Sequence, residues 1–424
     1  MLRLLKEIPT YAYIAGIVGA AATYVLYTPG SSNKKKRKTP MHNGYPRGLI
    51  NYKNECFINV ILQSLASSNR VTQWLVDNKE KLTSSPTSLY DALSGVIAGI
   101  NRIQLDNSSE LDEYQSEFYA AQSIKRALNA HNWHIQSEEH DCHELFHLIM
   151  DVLDEEQLEN KKSLKSLNYF SNLKENSRLT TKNPFHGYLA CQFQCLDCNY
   201  KYPLKLESFY SLSLTLPQLR DQLFLNGTVT LYECLNNFFK PELLVEMKCE
   251  NCQKLGNLPQ NKKGIVKRQA IAKLPDCLCV QIQRNSWSDS NYEMIKKTNY
   301  VQFPLSIKID SNSGAASNTF SLRQVGIGGL LGGRANLNNK EKSPERKPAL
   351  NIENFYELRS AVVHYGNALS GHFVVFRRLL QNLGSKEDWL QISDSDVKKV
   401  KQTNLLNSNV YMLFYDKITN IVPN

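Results

Sequence analysis

The sequence contains too few cysteines for a protein stabilised by disulfide bonds. Ten cysteines are spread over 424 residues, and four of them fall in two C-x-x-C pairs. Disulfide-dependent secreted domains are much richer in cysteine, whereas paired C-x-x-C spacing in an intracellular protein indicates a metal site. We therefore infer a reducing compartment. Since 42% of the residues are hydrophobic and 21% are charged, the chain can bury a core of ordinary globular size.

Excess positive charge is also scarce outside the first 40 residues. The formal net charge is +10, and residues 1–40 contain seven Lys or Arg against one acidic residue, Glu7. That segment therefore contributes +6 and leaves only +4 for all other residues. Nucleic-acid-binding proteins concentrate basic residues on the binding domain. The composition therefore argues against a nucleic-acid partner.

The N-terminal segment combines a long uncharged run with a basic cluster. Residues 8–27 contain no charged side chain, and Lys34–Lys38 follow as KKKRK. About 20 apolar residues suffice to cross a bilayer as a helix, and basic flanks stay on the cytosolic side. We therefore predict a short tail at 1–7, a transmembrane helix at 8–27 and a basic linker at 28–47, with the remaining chain in the cytosol. A cleaved signal peptide, a nuclear localisation signal or a buried core helix are the alternatives for parts of this segment.

The rest of the chain changes from helical to strand-like patterns. Apolar spacing predicts helices at 56–65, 87–103 and 137–153. Short alternating runs predict strands at 188–193, 209–216, 356–364, 372–378 and 410–415. Residues 311–350 are rich in Gly, Asn, Ser and Lys, which predicts a mobile surface insertion. Helices followed by strands indicate an α+β fold with at least two lobes.

A cysteine lies where a polar turn meets an apolar helix. Residues 48–63 read GLINYKNECFINVILQ, with Cys56 at the junction. The positive end of a helix dipole favours a thiolate, which is a strong nucleophile. Asn51 offers a side-chain N–H that could face a developing oxyanion. On this segment alone, a small buried cysteine without chemistry is the favoured interpretation.

Two C-x-x-C pairs provide a second cluster of reactive side chains. They are Cys195–Cys198 and Cys249–Cys252. Four thiolates in two such pairs are typical of a tetrahedral structural zinc site. Their wide separation in sequence predicts that the zinc ion joins the ends of a long β excursion.

Three segments resemble the sequence motifs of the ubiquitin-specific proteases. Residues 48–63 resemble G-L-x-N-x-G-N-[TS]-C-[FY]-x-N-x-x-x-Q, in which Cys56 occupies the nucleophile position. Residues 356–376 resemble the family's histidine motif, in which His372 is the catalytic base and His364 lies near the ubiquitin tail. The third triad member follows Trp389, and this position is Ser393 in the present chain.

The chain departs from the family motifs beside the nucleophile and in the triad. Lys53 replaces Gly, and Glu55 replaces Thr or Ser. A carboxylate beside a thiol raises the thiol pKa and an ammonium lowers it, so the two changes oppose each other. Ser393 replaces the usual Asn or Asp and is uncharged, so we expect Asp394 to support the imidazole as well. A serine at this position is characteristic of a mitochondrial outer-membrane member of the family, and the chain resembles that member here.

A short motif in a predicted helix supports a different class of enzyme. Residues 143–147 read H-E-x-x-H, which on a helix is the metalloprotease motif in which His143 and His147 bind zinc and Glu144 is the general base. The same segment resembles the family's Q-Q-D-A-x-E-F box, where Asp141 and Glu144 would serve structure or ubiquitin contact. A membrane-anchored metalloprotease is therefore one alternative, and a ubiquitin-binding module with weak catalysis is another.

The family resemblance covers almost the whole chain beyond the predicted anchor. It implies a papain-like α+β catalytic domain at 48–417, with a thumb at about 48–184, zinc-tied fingers at about 185–265 and a palm at about 266–417. It implies hydrolysis of isopeptide bonds on ubiquitin and ubiquitin chains, including chains linked through lysine 6 of ubiquitin. Together with the anchor, it implies ubiquitinated membrane proteins as substrates. The expected location is the mitochondrial outer membrane, with the endoplasmic reticulum or peroxisomal membrane as alternatives.

Overall fold

The computed structural model describes ten stretches of the chain. These are residues 45–82, 88–102, 112–136, 138–167, 182–217, 229–256, 263–288, 292–309, 354–379 and 388–418. The predicted tail, the transmembrane helix, linker residues 28–44 and the insertion at 311–350 lie outside these stretches. No helix within the described stretches is sufficiently long and apolar to traverse a bilayer.

Five helices make up the N-terminal half of the described chain. They are α1 (Cys56–Ser67), α2 (Asn69–Leu82), α3 (Leu89–Ile100), α4 (Asp112–Ala130) and α5 (Cys142–Leu167). All twelve residues of α1 are buried, which is typical of a helix surrounded by other elements on every side. The side chain of Ser88 caps α3 by accepting a hydrogen bond from the Asp91 N–H, so a polar residue fixes where that helix begins.

The C-terminal half consists mainly of strands. The strands are β1 (Gly187–Cys195), β2 (Lys205–Phe209), β3 (Ser211–Thr215), β4 (Val229–Thr230), β5 (Glu242–Leu244), β6 (Ile265–Lys273), β7 (Cys277–Gln283), β8 (Asn285–Ser288), β9 (Glu293–Lys296), β10 (Val301–Gln302), β11 (Ser306–Lys308), β12 (Phe355–Gly366), β13 (Gly371–Arg378), β14 (Trp389–Ser393), β15 (Asp396–Val400) and β16 (Val410–Lys417). Three short helices lie among them: α6 (Leu231–Phe239), α7 (Glu250–Lys254) and α8 (Gln402–Leu406). Thr230 and Glu233 form a capping box that starts α6.

A large, mostly antiparallel sheet forms the centre of the molecule. Its strand order is β15-β14-β13-β12-β16-β7-β3, with β11 paired to β12, and only the β3–β7 pair is parallel. Successive residues of β7 face opposite sides: Cys277 and Cys279 belong to the hydrophobic cluster shared with α1 to α5, whereas Leu278 and Val280 belong to the cluster on the other side. The sheet is therefore buried on both faces, which explains its almost continuous apolar strands.

A separate four-stranded antiparallel sheet extends within the predicted finger region. Its order is β2-β1-β6-β5, and β1 pairs with β6 from Tyr188 to Cys195. The two C-x-x-C pairs lie at the far end of this sheet, one after β1 and one at the start of α7. The fold thus consists of a helical part, a central sheet and a smaller sheet, which is the α+β arrangement predicted from the sequence.

The contact between α1 and the central sheet brings the predicted catalytic segments together. Helix α1 packs against β13, and Cys56 is its first residue. Strand β13 begins at Gly371, and the neighbouring strand β14 ends at Ser393. The start of one helix, the start of one strand and the end of the next strand therefore meet at one edge of the core.

Candidate active site

The loop before Cys56 is folded back on itself by hydrogen bonds. The Glu55 N–H donates to Asn51 Oδ1 at 2.8 Å, and the Glu55 carbonyl accepts from the N–H groups of Ile58 and Asn59. The Asn54 backbone has a φ of 48°, a left-handed conformation that asparagine tolerates better than most residues. Cys56 is therefore held at the N-terminus of α1, and only 5% of the residue is exposed.

Asp394 connects this loop to the end of β14. Its carboxylate accepts from Asn59 Nδ2 at 2.8 Å and from Asn51 Nδ2 at 3.1 Å, and its carbonyl accepts from the Leu49 N–H at 2.9 Å. A Cβ added to Gly48 would collide with the backbone of Ser395, so only glycine permits this close approach. The Asn51 amide is thus oriented by Glu55 on one side and by Asp394 on the other.

The structure brings His372 and Ser393 into direct contact. His372 Nε2 lies 2.8 Å from Ser393 Oγ and 3.9 Å from Asp394 Oδ2. Because Nε2 is occupied by the serine hydroxyl, Nδ1 is the ring nitrogen left for a reacting group. The Phe373 N–H, one residue along β13, lies near the Cys56 thiol and acts to lower its pKa. The start of β13 therefore lies against the thiol.

The surroundings of Cys56 favour the neutral thiol. Burial raises the pKa of Cys56, and the carboxylates of Asp394 and Glu139 raise it further, while N–H groups of Phe373 and Phe57 act in the opposite direction. The helix N-terminus predicted a lowered pKa, but burial outweighs that contribution. A protonated thiol needs a base to become nucleophilic, and His372 is available for this role.

The predicted tail-contact residue His364 supports the loop that precedes His372. Lys296 Nζ lies 2.9 Å from His364 Nδ1, and it also donates to the carbonyls of His364 and Gly366 at 2.9 Å. A Cβ on Gly371 would collide with the His364 ring and with the Tyr365 carbonyl. Residue 371 must therefore be glycine for the β12–β13 loop to close beside His372.

Asp141 and Glu144, the other predicted substrate contacts, occupy different environments. Asp141 precedes α5, and its carboxylate accepts from the His143 N–H at 2.7 Å and from the hydroxyl of Tyr411. Glu144 is exposed on the surface of α5. Glu139, which sequence reasoning did not select, accepts from the Gly371 N–H at 3.0 Å and thus lies beside the start of β13.

The H-E-x-x-H motif does not form a metalloprotease site. His143 Nε2 and His147 Nε2 both lie 2.8 Å from Ser211 Oγ on β3. Burial lowers the pKa of His143 to about 3, and the hydroxyl satisfies both rings through one donated and one accepted hydrogen bond. The metalloprotease alternative is therefore wrong: its metal position is filled by the hydroxyl of Ser211, which joins α5 to β3 of the central sheet.

The four paired cysteines have the geometry that a zinc ion requires. Their sulfur atoms all lie within 4.8 Å of one another, with Cys195–Cys252 at 3.7 Å and Cys198–Cys249 at 3.8 Å. These separations exceed a disulfide bond of about 2.05 Å, and a tetrahedral zinc site with bonds of about 2.3 Å places its sulfurs about 3.8 Å apart. The cluster can therefore hold a structural zinc ion, as the sequence predicted. Among the described residues it is the one group of three or more possible metal ligands.

One further contact at the nucleophile was not predicted. Lys125 of α4 places Nζ 2.7 Å from Glu55 Oε1. The expected opposition of Lys53 and Glu55 is not observed, because Lys53 is exposed to solvent and Glu55 is paired with Lys125. No sequence motif includes Lys125, which lies 70 residues from its partner.

Comparison with known proteins assigns this arrangement to one family. The sequence profile described as ubiquitin carboxyl-terminal hydrolase matches residues 47–415. The chain is 29% identical to ubiquitin carboxyl-terminal hydrolase 30 of Xenopus tropicalis, over 97% of this chain and 88% of that protein. It is 26% identical to the Homo sapiens protein of the same name, over 97% of this chain and 92% of that protein.

Solved structures show the same fold. The chain matches the SAGA DUB module containing Ubp8, Sgf11, Sus1 and Sgf73 bound to monoubiquitin, with a TM-score of 0.60 and 19% identity over 88% of this chain and 70% of that chain. It matches the module bound to ubiquitin aldehyde with a TM-score of 0.60 and 20% identity, over 91% and 73% of the two chains.

Proposed function

Since the chain belongs to the ubiquitin carboxyl-terminal hydrolase family and is a ubiquitin-specific cysteine protease, we propose that it hydrolyses the isopeptide bond after the C-terminal glycine of ubiquitin through Cys56. The observation that carries this proposal is the convergence of three elements. The Phe373 N–H lies near the Cys56 thiol and favours its ionised form, and the adjacent His372 is held by Ser393 at 2.8 Å.

The first chemical step uses His372 as a general base. Its Nε2 is held by Ser393, so Nδ1 takes the thiol proton of Cys56 as sulfur attacks the carbonyl carbon of the ubiquitin terminal glycine. The resulting imidazolium then donates that proton to the lysine amine, which leaves as the carbon–nitrogen bond breaks. The product is a thioester between Cys56 and ubiquitin.

The oxyanion formed during attack requires hydrogen-bond donors. We propose that Asn51 supplies one, because one of its amide hydrogens is directed to Asp394 and the other remains available. Backbone N–H groups at the start of α1 point in the same direction as the helix dipole and would stabilise the same charge. Asp394 would orient Asn51 rather than take part in proton transfer.

Hydrolysis of the thioester reverses these roles. His372 removes a proton from water, the hydroxide attacks the thioester carbon, and the carbon–sulfur bond breaks with return of the proton to Cys56. Ubiquitin leaves with a free carboxylate. Ser393 accepts a hydrogen bond but carries no charge, so it stabilises the intermediate imidazolium less than a carboxylate would.

Ubiquitin is the proposed partner on the distal side of the bond. Two of the solved structures that match this fold contain ubiquitin, as monoubiquitin and as ubiquitin aldehyde. We propose that its tail enters the cleft lined by Glu139, Asp141 and His364, and that ubiquitin chains, including those linked through lysine 6, are substrates. The zinc-tied sheet would contact the body of ubiquitin.

We also propose that the enzyme acts at the mitochondrial outer membrane. The uncharged run at 8–27 and the basic run after it support anchoring with the catalytic domain in the cytosol. Similarity to ubiquitin carboxyl-terminal hydrolase 30 over nearly the whole chain supports the choice of membrane. Removing ubiquitin from outer-membrane proteins would oppose mitophagy.

The proposed reaction is tested with ubiquitin joined to a fluorescent lysine peptide by an isopeptide bond. We expect cleavage by the full chain, no cleavage by Cys56→Ala or His372→Ala, inhibition by iodoacetamide, and a Cys56→Ala protein that is folded by circular dichroism. Unchanged cleavage by the folded Cys56→Ala variant would overturn the proposal. No cleavage by the folded wild-type protein, combined with ubiquitin binding, would favour the ubiquitin-binding module.

Location is tested by fusing a fluorescent protein to the C-terminus of the full chain. We expect the fusion to overlap a mitochondrial outer-membrane marker, and deletion of residues 8–27 to release it into the cytosol. Overlap with an endoplasmic-reticulum or peroxisomal marker instead would contradict the proposed membrane.

A further inference from the structure

The residue immediately before the nucleophile carries a buried carboxylate. Glu55 is 5% exposed, and its side chain forms an ion pair of 2.7 Å with Lys125 on α4. Its second carboxylate oxygen lies 3.4 Å from the Tyr52 N–H within the same loop. The side chain therefore joins the Cys56 loop to a helix that starts more than 50 residues later.

This arrangement differs from that expected for the family motif. Thr or Ser, the family residues at this position, can cap a helix through the side-chain hydroxyl. Glu55 occupies the N-cap position of α1, yet its side chain makes no capping hydrogen bond. The carboxylate instead extends to Lys125, so an interaction between two elements takes the place of one within the helix.

The ion pair also removes an electrostatic conflict. A carboxylate at the N-terminus of α1 competes with a Cys56 thiolate for the positive end of the helix dipole. Without a partner cation the two groups would repel each other, and the repulsion would raise the thiol pKa. With Lys125 at 2.7 Å the charge of Glu55 is neutralised, so the thiol faces a smaller electrostatic penalty when it ionises.

We propose that Lys125 is a positioning residue for the nucleophile, which it serves by pairing with Glu55 and fixing the Asn51–Glu55 loop. The proposal rests on the proposed cysteine-protease function and goes beyond it, because it assigns a role to a residue of α4 that does not touch the reacting atoms. Glu55 and Lys125 should therefore act as one unit. Loss of Lys125 alone should cost more than loss of both residues, because it leaves the carboxylate of Glu55 unpaired beside the thiol.

Three carboxylates and one imidazole lie near Cys56, and two of them, Asp394 and Glu139, raise the pKa of the thiol. They come from four elements: Glu55 in the loop before α1, Glu139 before α5, His372 on β13 and Asp394 after β14. Among these three carboxylates Glu55 is the one paired with a lysine, whereas Asp394 lies 3.9 Å from His372 Nε2. Removing that cation adds one unpaired negative charge to a site where Asp394 and Glu139 already raise the thiol pKa.

The test measures the rate at which the full chain forms an adduct with ubiquitin-propargyl between pH 6 and 10. We expect Lys125→Met to slow the reaction about tenfold at neutral pH, because raising the thiol pKa by about one unit lowers the thiolate fraction about tenfold. The rate profile should move to higher pH. The double variant Glu55→Thr with Lys125→Met should recover most of the rate and the original profile. Arg126→Met, which removes an exposed cation from the same helix, is the matched control and should react like the wild type.

Two results would overturn the proposal. One is a Lys125→Met protein that reacts within twofold of the wild type at every pH, and the other is a double variant no faster than Lys125→Met. If Lys125→Met does not fold, Glu55→Gln keeps the test decisive: it retains the shape, removes the charge and should shift the profile to lower pH. Should the wild type itself form no adduct, the proposed function fails, and the ion pair is then tested by non-additive melting temperatures of the same variants.

Discussion

At the scale of single residues, the site depends on how a few polar side chains share their hydrogen bonds. Ser393 occupies Nε2 of His372, which leaves Nδ1 for the thiol. Asp394, the next residue, contacts Asn51 and Asn59 rather than replacing the serine. Ser393 therefore orients the base, and Asp394 orients the loop that carries the nucleophile.

The contribution of Ser393 can be measured directly. We expect Ser393→Ala to lower kcat for the isopeptide substrate by about ten- to a hundredfold, because one hydrogen bond that strengthens with charge on His372 is lost. KM and the melting temperature should change little. Ser393→Asn is the matched control, since its amide oxygen can accept the same hydrogen bond and should restore most of kcat. Full activity of Ser393→Ala would exclude serine as the third member of the triad.

The sequence predicted these residues by type but not their partners. Cys56, His372 and Ser393 follow from segments that resemble family motifs, and the structure brings His372 and Ser393 together. Lys125 and Lys296 were missed, because each lies on an element remote in sequence from the residue it contacts. A motif records spacing along the chain and contains no information about which side chains later elements bring against it.

At the scale of secondary structure, the site depends on close approach of two strands and a loop. Glycine at 371 allows His364 to lie against the start of β13, and Lys296 from β9 fixes the same loop through three acceptors. The packing of the β12–β13 loop therefore determines the position of His372. Small changes in this loop should affect catalysis more than stability.

Two glycine substitutions separate these effects. We expect Gly371→Ala to lower kcat/KM at least about a hundredfold, because the added Cβ displaces His364 and the backbone beside His372, and a small misplacement of a catalytic group has a cost of this size. Gly95→Ala on α3 is the control: nothing lies within 4 Å of its added Cβ. It should retain activity and gain about 1 kcal/mol of stability, since alanine favours the helix. Normal activity of Gly371→Ala would contradict the role of this loop.

Element boundaries were predicted where apolar patterns are strong. The predicted helix at 56–65 corresponds to Cys56–Ser67, and the strand at 372–378 corresponds to Gly371–Arg378. Helices α2 and α4 were missed because their apolar residues are diluted by charged and amide side chains. Helix α6 was missed although Thr230 and Glu233 provide a capping-box signal. Long-range pairing, such as the parallel β3–β7 contact, has no local signature at all.

At the scale of the whole molecule, chemistry and recognition are assigned to different parts. The helical half supplies the nucleophile, and the central sheet supplies the base and Ser393. The smaller sheet ends in the cysteine cluster, which is remote in sequence from Cys56, His372 and Ser393. We therefore expect the metal to affect binding of ubiquitin without taking part in the reaction.

Zinc removal tests this division. We expect the purified wild type to contain one zinc ion by elemental analysis, and Cys249→Ser with Cys252→Ser to contain none. Such sites depend on the metal for folding, so without zinc the end of the small sheet loses its cross-link. Because we propose that this sheet contacts ubiquitin, KM for the ubiquitin substrate should rise about tenfold or more. Cys191→Ser, a buried cysteine of β1 outside the cluster, is the control and should keep its zinc. A zinc-free wild type, or unchanged KM in the double variant, would contradict the assignment.

The central claim is that Cys56 forms a covalent bond with the ubiquitin terminus, and mass spectrometry tests it most directly. The full chain is incubated with ubiquitin-propargyl, its intact mass is measured, and the modified peptide is sequenced. The account predicts the mass of one added ubiquitin, located on Cys56, and no addition to Cys56→Ala. Modification of another cysteine, or a folded wild-type protein that gains no mass, would contradict it.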